Sequence, residues 1–306
     1  MKHFVGIDVG GTRIKAGLVN AHFQVLNEEV IWLEDADKSE HAVLARIVEA
    51  VDAVSNTQAV ESVGVGIAGC IDARRGIVVT SPNFPAWNNF DVVGRLKKHV
   101  SVPILVDNDA HCVIGGEYLA GAAVDCPDLL GFTLGTGVGG AIFLDGRLWR
   151  GIRGMAGEFG HITVEPGGPL CGCGSYGCLE MYCSRVGFEY LCSRDPVEGT
   201  DKQSPHLPQQ LAHAAQSGNV TALAHFNTAG TMLGRTIAGL LNSLNVNNIV
   251  LAGGVSHTFN WMKDAMWTEL RKRCYPVVAD AVTVRLGTLG DKAGIIGAAM
   301  QWRLQD

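Results

Sequence analysis

Four side chains that bind soft divalent metals lie close together in the chain: His161, Cys171, Cys173 and Cys178. Gly172, Gly174 and Gly177 stand among the cysteines and permit a backbone tight enough to bring three sulfurs onto one ion. The pattern points to a tetrahedral zinc site with one His and three Cys. The competing reading is a set of buried thiols or a disulfide pair. Cys171 and Cys173 are too close to pair comfortably, and a reducing compartment opposes disulfides. Cys70, Cys112, Cys126, Cys183, Cys192 and Cys274 read as small hydrophobes. Glu158 and Glu180 tie carboxylates to the metal loop from both sides, although a solvated Glu is the ordinary expectation for each.

A second chemistry sits at glycine turns that follow apolar strands. Asp8-Val9-Gly10-Gly11-Thr12 puts two glycines and a hydroxyl where backbone amides can approach phosphate oxygens, with an aspartate placed to face a hydrated Mg2+. Taken alone, the segment is equally an ordinary Gly-Gly hairpin. Gly135-Thr136-Gly137 has the same build, and Gly253-Gly254 makes a third site after Ile249 to Ala252. One nucleotide accounts for all three, with phosphates at the first two turns and adenosine near the third. Asn108-Asp109 closes the strand Ile104 to Val106 and opens a helix, where a general base fits and a helix cap fits better. Pro82-Asn83 and Trp87 offer an amide and an indole for a sugar, or simply a turn with a packed Trp.

The elements that position these residues follow from periodicity. Phe4 to Asp8, Ile14 to Val19 and Val25 to Trp32 read as a strand and returning antiparallel strands. Ser39 caps a helix with apolar residues at 43, 44, 47, 48, 51 and 54. Strands at Val63 to Ile67, Ile77 to Thr80 and Ile104 to Val106 and helices at Asp91 to His99 and Asp109 to Ala120 complete an α/β pattern. Leu129 to Leu134, the glycine turn and Ala141 to Leu144 repeat the opening grammar. Gly151 to Cys183 is irregular, a length usually functional or held by a metal. Helices at Val220 to Leu244, His257 to Cys274 and Lys292 to Arg303 and strands at Asn248 to Leu251 and Val282 to Leu286 follow. Asp195 to Pro208 reads as a solvent loop. The expected division is a small α/β domain over 1–120, with 292–306 packing back onto it, and a larger one over 121–291 carrying the zinc loop.

At 306 residues the chain is long enough for about two domains. Hydrophobic residues make up 47% and charged residues 18%, a globular composition without a run long enough to span a membrane. The formal net charge of −6, without basic blocks, opposes nucleic-acid binding through bulk charge. The opening lacks the features of a secretory signal, so a cytoplasmic protein is expected. The 39 glycines are roughly twice the usual share and argue for backbone packed close to ligands.

Across nearly its whole length the sequence resembles the ROK family, and within it the glucokinase-like sugar kinases. Asp-x-Gly-Gly-Thr stands at Asp8 to Thr12 and Leu-Gly-Thr-Gly-x-Gly-Gly at Leu134 to Gly140. Gly-Glu-x-Gly-His stands at Gly157 to His161 and Cys-x-Cys-Gly-x-x-Gly-Cys-x-Glu at Cys171 to Glu180. The resemblance implies an actin-like, hexokinase-like (ribonuclease H-like) two-domain ATPase fold, with the sugar in the cleft. It implies ATP-dependent phosphorylation of a hexose, glucose first, with Mg2+ and a structural zinc. Asp109 becomes the base for the 6-hydroxyl; Asn83, Asn108, Glu158, His161 and Glu180 bind other hydroxyls, with the Gly69 backbone alongside. Asp8, Gly10, Gly11, Thr12, Thr136, Gly137, Gly253 and Gly254 serve ATP and Mg2+, and the metal fixes the orientation of His161.

The family commonly has Lys where Arg13 stands, and Asn and Ala where this chain continues with His111-Cys112-Val113. No winged helix-turn-helix precedes Asp8, which argues against the repressor branch, and homodimers are frequent in the family. The alternatives are a kinase for mannose, fructose, allose, N-acetylglucosamine or N-acetylmannosamine, or a non-catalytic sugar sensor. A zinc-dependent hydrolase is opposed by four protein ligands, which leave no position for a reactive water.

Overall fold

Alternating apolar residues build a meander at the start of the chain. The structure, a computed structural model, describes residues 2–34 and 39–304, so residue 1, residues 35–38 and residues 305–306 of the expected C-terminal segment lie outside it. Strands β1 (His3–Val9), β2 (Arg13–Asn20) and β3 (Val25–Trp32) pair antiparallel. Helix α1 (Glu40–Ser55) begins where the Ser39 hydroxyl accepts from the Ala42 amide, and ends at Asn56 in the left-handed conformation. Its Val43, Leu44, Ile47, Val51 and Val54 join Val5, Ile7, Ile14 and Leu18 of the sheet in one buried core.

Strand β4 (Ser62–Ile67) pairs parallel with β1. A small antiparallel sheet follows, made of β5 (Cys70–Asp72), β6 (Ile77–Thr80) and β7 (Phe90–Asp91). Helix α2 (Val92–Leu96) is shorter than the expected 91–99. Asp91 is its cap rather than its first residue, and Lys97, Lys98 and His99 are exposed, with nothing apolar to extend the buried face. Strand β8 (Ile104–Asn108) completes a five-stranded sheet in the order β3-β2-β1-β4-β8, and leads directly into α3 (Asp109–Ala120).

The second cycle opens with β9 (Leu129–Leu134), β10 (Val138–Leu144) and β11 (Arg147–Leu148). A 3-10 turn at Phe159–His161 and the metal loop lead to α4 (Glu180–Cys183) and α5 (Arg185–Arg194). Then come α6 (Leu207–Gln216), α7 (Val220–Leu244) and β12 (Asn248–Ala252), which pairs parallel with β9. The helix expected at 257–274 is α8 (Phe259–Arg273), entered through a 3-10 turn over Gly254–Thr258. After α9 (Pro276–Asp280), β13 (Thr283–Leu286) pairs parallel with β12, and α10 (Lys292–Ala299) follows. The last helix expected at 292–303 is interrupted. Gln301 and its neighbours turn into a 3-10 segment, and the Gln301 side chain donates to the Val65 carbonyl.

Contacts divide the chain into two units. Residues 1–127, 141–157 and 287–306 form one; residues 128–140 and 158–286 form the other. Thus 141–157, which the sequence assigns to the second region, clusters with the first. Within the first unit α10 packs on α3, β1 and β4. Cβ atoms at Gly6 and Gly64 would strike the Ile295 and Ala298 carbonyls of α10, and one at Gly297 would strike the Cys112 carbonyl. In the second unit Gly230 and Gly234 bring α7 onto the Met262 and Met266 carbonyls of α8. Part of the glycine excess therefore serves helix packing, not the ligand contact expected from composition.

Candidate functional site

In the first unit the β1–β2 turn is closed by the Gly10 amide donating to the Arg13 carbonyl, 3.0 Å. Asp8 lies opposite Lys15 in the hairpin register. Burial raises the Asp8 carboxyl, with Lys15 acting against it, and Lys15 Nζ reaches Asp291 Oδ1 at 2.6 Å. Lys15 and Asp291 were not signalled as site residues. The Asp8–Lys15 pairing across the turn is the cue that finds Lys15. Asn83 is seated on this turn: a Cβ added at Gly11 would lie 2.9 Å from its Oδ1. Gly11 is thus the residue that leaves room for the amide.

The junction of β8 and α3 separates two roles that the sequence leaves open. Asn108, not Asp109, is the helix cap, its Oδ1 accepting from the Ala110 and His111 amides at 2.8 and 3.2 Å. Its Nδ2 donates to the Gly69 carbonyl at 3.0 Å. A primary amide has two N–H bonds, so one stays available to a ligand. Gly69 has φ 129°, and a Cβ there would strike the Thr80 carbonyl. Asp109 is the first helical residue, where the positive end of the helix dipole meets its carboxylate. Its Oδ1 also accepts from the Ala110 amide at 2.9 Å.

Trp87 is not a sugar platform. It is fully buried and packed between Phe84 and Phe90, with ring centroids at 5.0 and 4.7 Å. The packed-turn reading holds for the indole, while Asn83 stays partly exposed.

In the second unit two glycine turns come together. The Gly135 amide donates to the Gly137 carbonyl at 2.9 Å, and Gly253, with φ 87°, lies against the Leu134 backbone that enters this turn. A Cβ would meet nothing within 4 Å at Gly135 or Gly254, so both present open backbone. Thr136 is exposed between the two glycines of its turn. Glu180 links the turn to the metal loop: its Oε2 accepts from the Val138 amide at 3.0 Å, and its Oε1 takes the Cys171 thiol at 3.7 Å.

The ligating atoms of His161, Cys171, Cys173 and Cys178 all lie within 4.8 Å of one another. The Cys173 and Cys178 sulfurs are 3.6 Å apart, close to the ~3.8 Å edge of a tetrahedron with metal–sulfur bonds of about 2.3 Å. Gly174 at φ 88° and Gly177 at φ 65° make the reversals, and the Val164 amide on the Gly177 carbonyl, 2.8 Å, locks the loop. His161 Nδ1 faces the Cys171 sulfur at 3.6 Å, and Nε2 faces Glu158 Oε2 at 3.9 Å. One nitrogen thus faces the sulfurs and the other a carboxylate. Burial pushes the Cys171 thiol up to about 12, so a metal entering this donor set displaces a proton.

The sequence signals did not single out Asp107 and Arg150. Asp107 is buried beneath the Asn108–Asp109 junction, and Arg150 Nε donates to its Oδ2 at 2.8 Å.

The ROK family model matches residues 4–305. A glucokinase of Halalkalibacterium halodurans is 33% identical over 99% of this chain and 96% of its own length. An N-acetyl-D-glucosamine kinase of Erwinia tasmaniensis is 29% identical over 97% of this chain and 98% of its own. The crystal structure of a ROK family glucokinase from Streptomyces griseus with glucose and AMPPNP superposes with a TM-score of 0.83, at 30% identity, covering 99% of this chain and 100% of that one. Its fold is therefore that of the two-domain sugar kinases, and the chain belongs to the ROK family.

Proposed function

We propose that the protein transfers the γ-phosphoryl group of ATP to the 6-hydroxyl of a hexose, with glucose as the preferred acceptor. The observation that carries this reading is the Asn108–Asp109 junction, where Asn108 takes the capping duty and leaves Asp109 as a carboxylate at a helix start. It occurs in a chain similar from end to end to glucokinases.

Phosphoryl transfer requires positioning and charge neutralisation more than covalent chemistry from the protein. Asp109 accepts the proton of the sugar 6-hydroxyl as that oxygen bonds to the γ-phosphorus and the bond to the bridging β–γ oxygen breaks. The remaining Asn108 N–H, the Gly69 carbonyl and Asn83 orient the sugar, and Glu158, His161 and Glu180 are assigned to its other hydroxyls. Backbone amides at Gly11 and Gly137 and the Thr12 and Thr136 hydroxyls receive phosphates, Gly10 shapes the first turn by closing its own amide on the Arg13 carbonyl, and Gly253 and Gly254 stand beside the adenosine. Asp8 holds a hydrated Mg2+, which neutralises phosphate charge when bound. His161, Cys171, Cys173 and Cys178 hold a structural zinc that fixes His161, so that Nε2 stays free for a hydroxyl.

The N-acetyl-D-glucosamine kinase relatives support a second reading, phosphorylation of an N-acetylhexosamine at the same site. We further propose a cytoplasmic homodimer. Cys171, Cys173 and Cys178 are assigned here as metal thiolates, a use of cysteine that suits a reducing location, and no helix among the described residues is long and apolar enough to cross a membrane. Light scattering of the purified protein checks the dimer. The test of function is ADP release with Mg-ATP and glucose, mannose, fructose, allose, N-acetylglucosamine or N-acetylmannosamine. Glucose is expected to give the highest kcat/KM. An N-acetyl sugar or allose ahead by more than tenfold replaces the glucose assignment, and no transfer to any of these sugars refutes the kinase.

A further inference from the structure

The first unit contains a charged cluster that the mechanism above does not use. Asp107 of β8 and His111 of α3 are each 2% exposed. His111 Nδ1 lies 2.8 Å from Asp107 Oδ1, and Nε2 lies 2.8 Å from the Ala156 carbonyl oxygen. A carbonyl oxygen only accepts, so Nε2 carries a hydrogen. Asp107 is held as a carboxylate, since Arg150 Nε donates to Oδ2 and the Asn108 amide donates to Oδ1, each at 2.8 Å. Nδ1 therefore carries a hydrogen as well. A neutral imidazole has one N–H, and both being present makes His111 an imidazolium.

The cluster joins two pieces of chain that are distant in sequence. Arg150 donates to Asp107 and, through Nη1, to the Leu304 carbonyl at 2.8 Å. The Ala156 amide donates to the Arg150 carbonyl at 3.1 Å, so the segment from Arg150 to Ala156 closes on itself. One end of that segment is pinned by its guanidinium on Asp107 and the other by its carbonyl on His111. Asp107 in turn holds the Asn108 amide, one residue before Asp109.

We infer that His111 is a positioning residue for phosphoryl transfer: as a double donor it ties Ala156 to Asp107 and thereby fixes the junction that carries Asn108 and Asp109. The inference rests on the kinase reading. The charged groups that act on the ring are Asp107 from β8 and Arg150 from the segment after β11, while Asp109 and Cys112 are its titratable neighbours in sequence on α3. Where α10 meets α3 at Cys112 it presents the uncharged Gly297. Burial works against the imidazolium and Arg150 repels it, but the Asp107 charge and hydrogen bond prevail and hold the ring above its ordinary 6.5. When the ring loses a proton, one of its nitrogens turns a lone pair toward an acceptor and one of the two ties opens.

The experiment compares wild type with His111→Gln, whose side chain is neutral and does not titrate. Wild-type kcat is expected to fall on the alkaline side with the midpoint of the His111 ring, followed by nitrogen NMR of histidine-labelled enzyme. At pH 7 both ring nitrogens should be protonated. His111→Gln should lose at least tenfold in kcat at pH 7 with glucose KM changed less than threefold, and should lack that alkaline limb. A neutral ring at pH 7, a kcat midpoint that does not follow the ring, or a Gln variant that retains the limb overturns the inference. If the variant fails to fold, the first two comparisons on wild type still decide. Failure of wild type to phosphorylate any hexose is a different result, and refutes the kinase reading itself.

Discussion

Replacing Gly137 with alanine tests whether the glycine turn and the carboxylate of Glu180, proposed to bind the sugar, are one device. A Cβ on Gly137 would collide with the Glu180 carboxylate, and that carboxylate is the end of a flexible side chain. Neither Gly135 nor Gly137 has a positive φ, so alanine fits the backbone at both positions and only the added methyl acts. Glu180 must swing away and give up the Val138 amide, now 3.0 Å from Oε2. If Glu180 binds a sugar hydroxyl from its present position, the swing also removes one charged hydrogen bond to the ligand. Such a bond is worth about 1.5–3 kcal/mol, which corresponds to roughly 10- to 100-fold in affinity. Calorimetry with glucose, without nucleotide, measures this directly. Gly135→Ala is the control, because its Cβ would meet nothing within 4 Å. The expected result is a weakening of at least tenfold for Gly137→Ala and less than threefold for Gly135→Ala. A Gly137→Ala protein that binds glucose within threefold of wild type would refute the reasoning.

Two further outcomes follow from the same geometry. Protein purified without chelator should contain about one zinc per chain, and Cys173→Ser should lose metal and raise the glucose KM together, because His161 is no longer held; metal analysis and initial rates check both, and zinc-free protein of full activity contradicts the site. Burial raises the Glu269 carboxyl, but hydrogen bonds from Arg273 and Arg235 outweigh it and hold it below its ordinary 4.5. This contribution to stability is complete above pH 4.5 and is lost as pH falls through the lower folded value. The Tm of wild type should therefore drop more steeply than that of Glu269→Gln as pH is lowered from about 5 to about 3, and parallel curves count against it.

The periodic elements were legible because a single physical pattern determines them. Asp109–Ala120 and Val220–Leu244 appear at the expected bounds, and Ser39 caps α1 through its hydroxyl. Helix α6 has no counterpart in the sequence reading: its first two residues, Leu207 and Pro208, close the expected solvent loop, because proline is tolerated in the first turn of a helix. The strands β7 and β11 are too short to show a period. The Cys171–Cys178 loop was legible because its ligands are close in sequence. Asp107 with Arg150, and Glu117 with the Thr288 and Leu289 amides, were not, because only the fold brings them together. The choice between cap and base at Asn108–Asp109 turned on which of two adjacent side chains faces the helix amides. Composition does not carry that information.

Asp109 is proposed to take the proton from the sugar hydroxyl during transfer from ATP. Asp109→Asn keeps the shape of the side chain and removes its basicity. Turnover with Mg-ATP and glucose binding by calorimetry should be measured on the same preparation of this variant. The expected result is a kcat lower by about 10² to 10⁴ with glucose affinity largely retained. Turnover within threefold of wild type would contradict it.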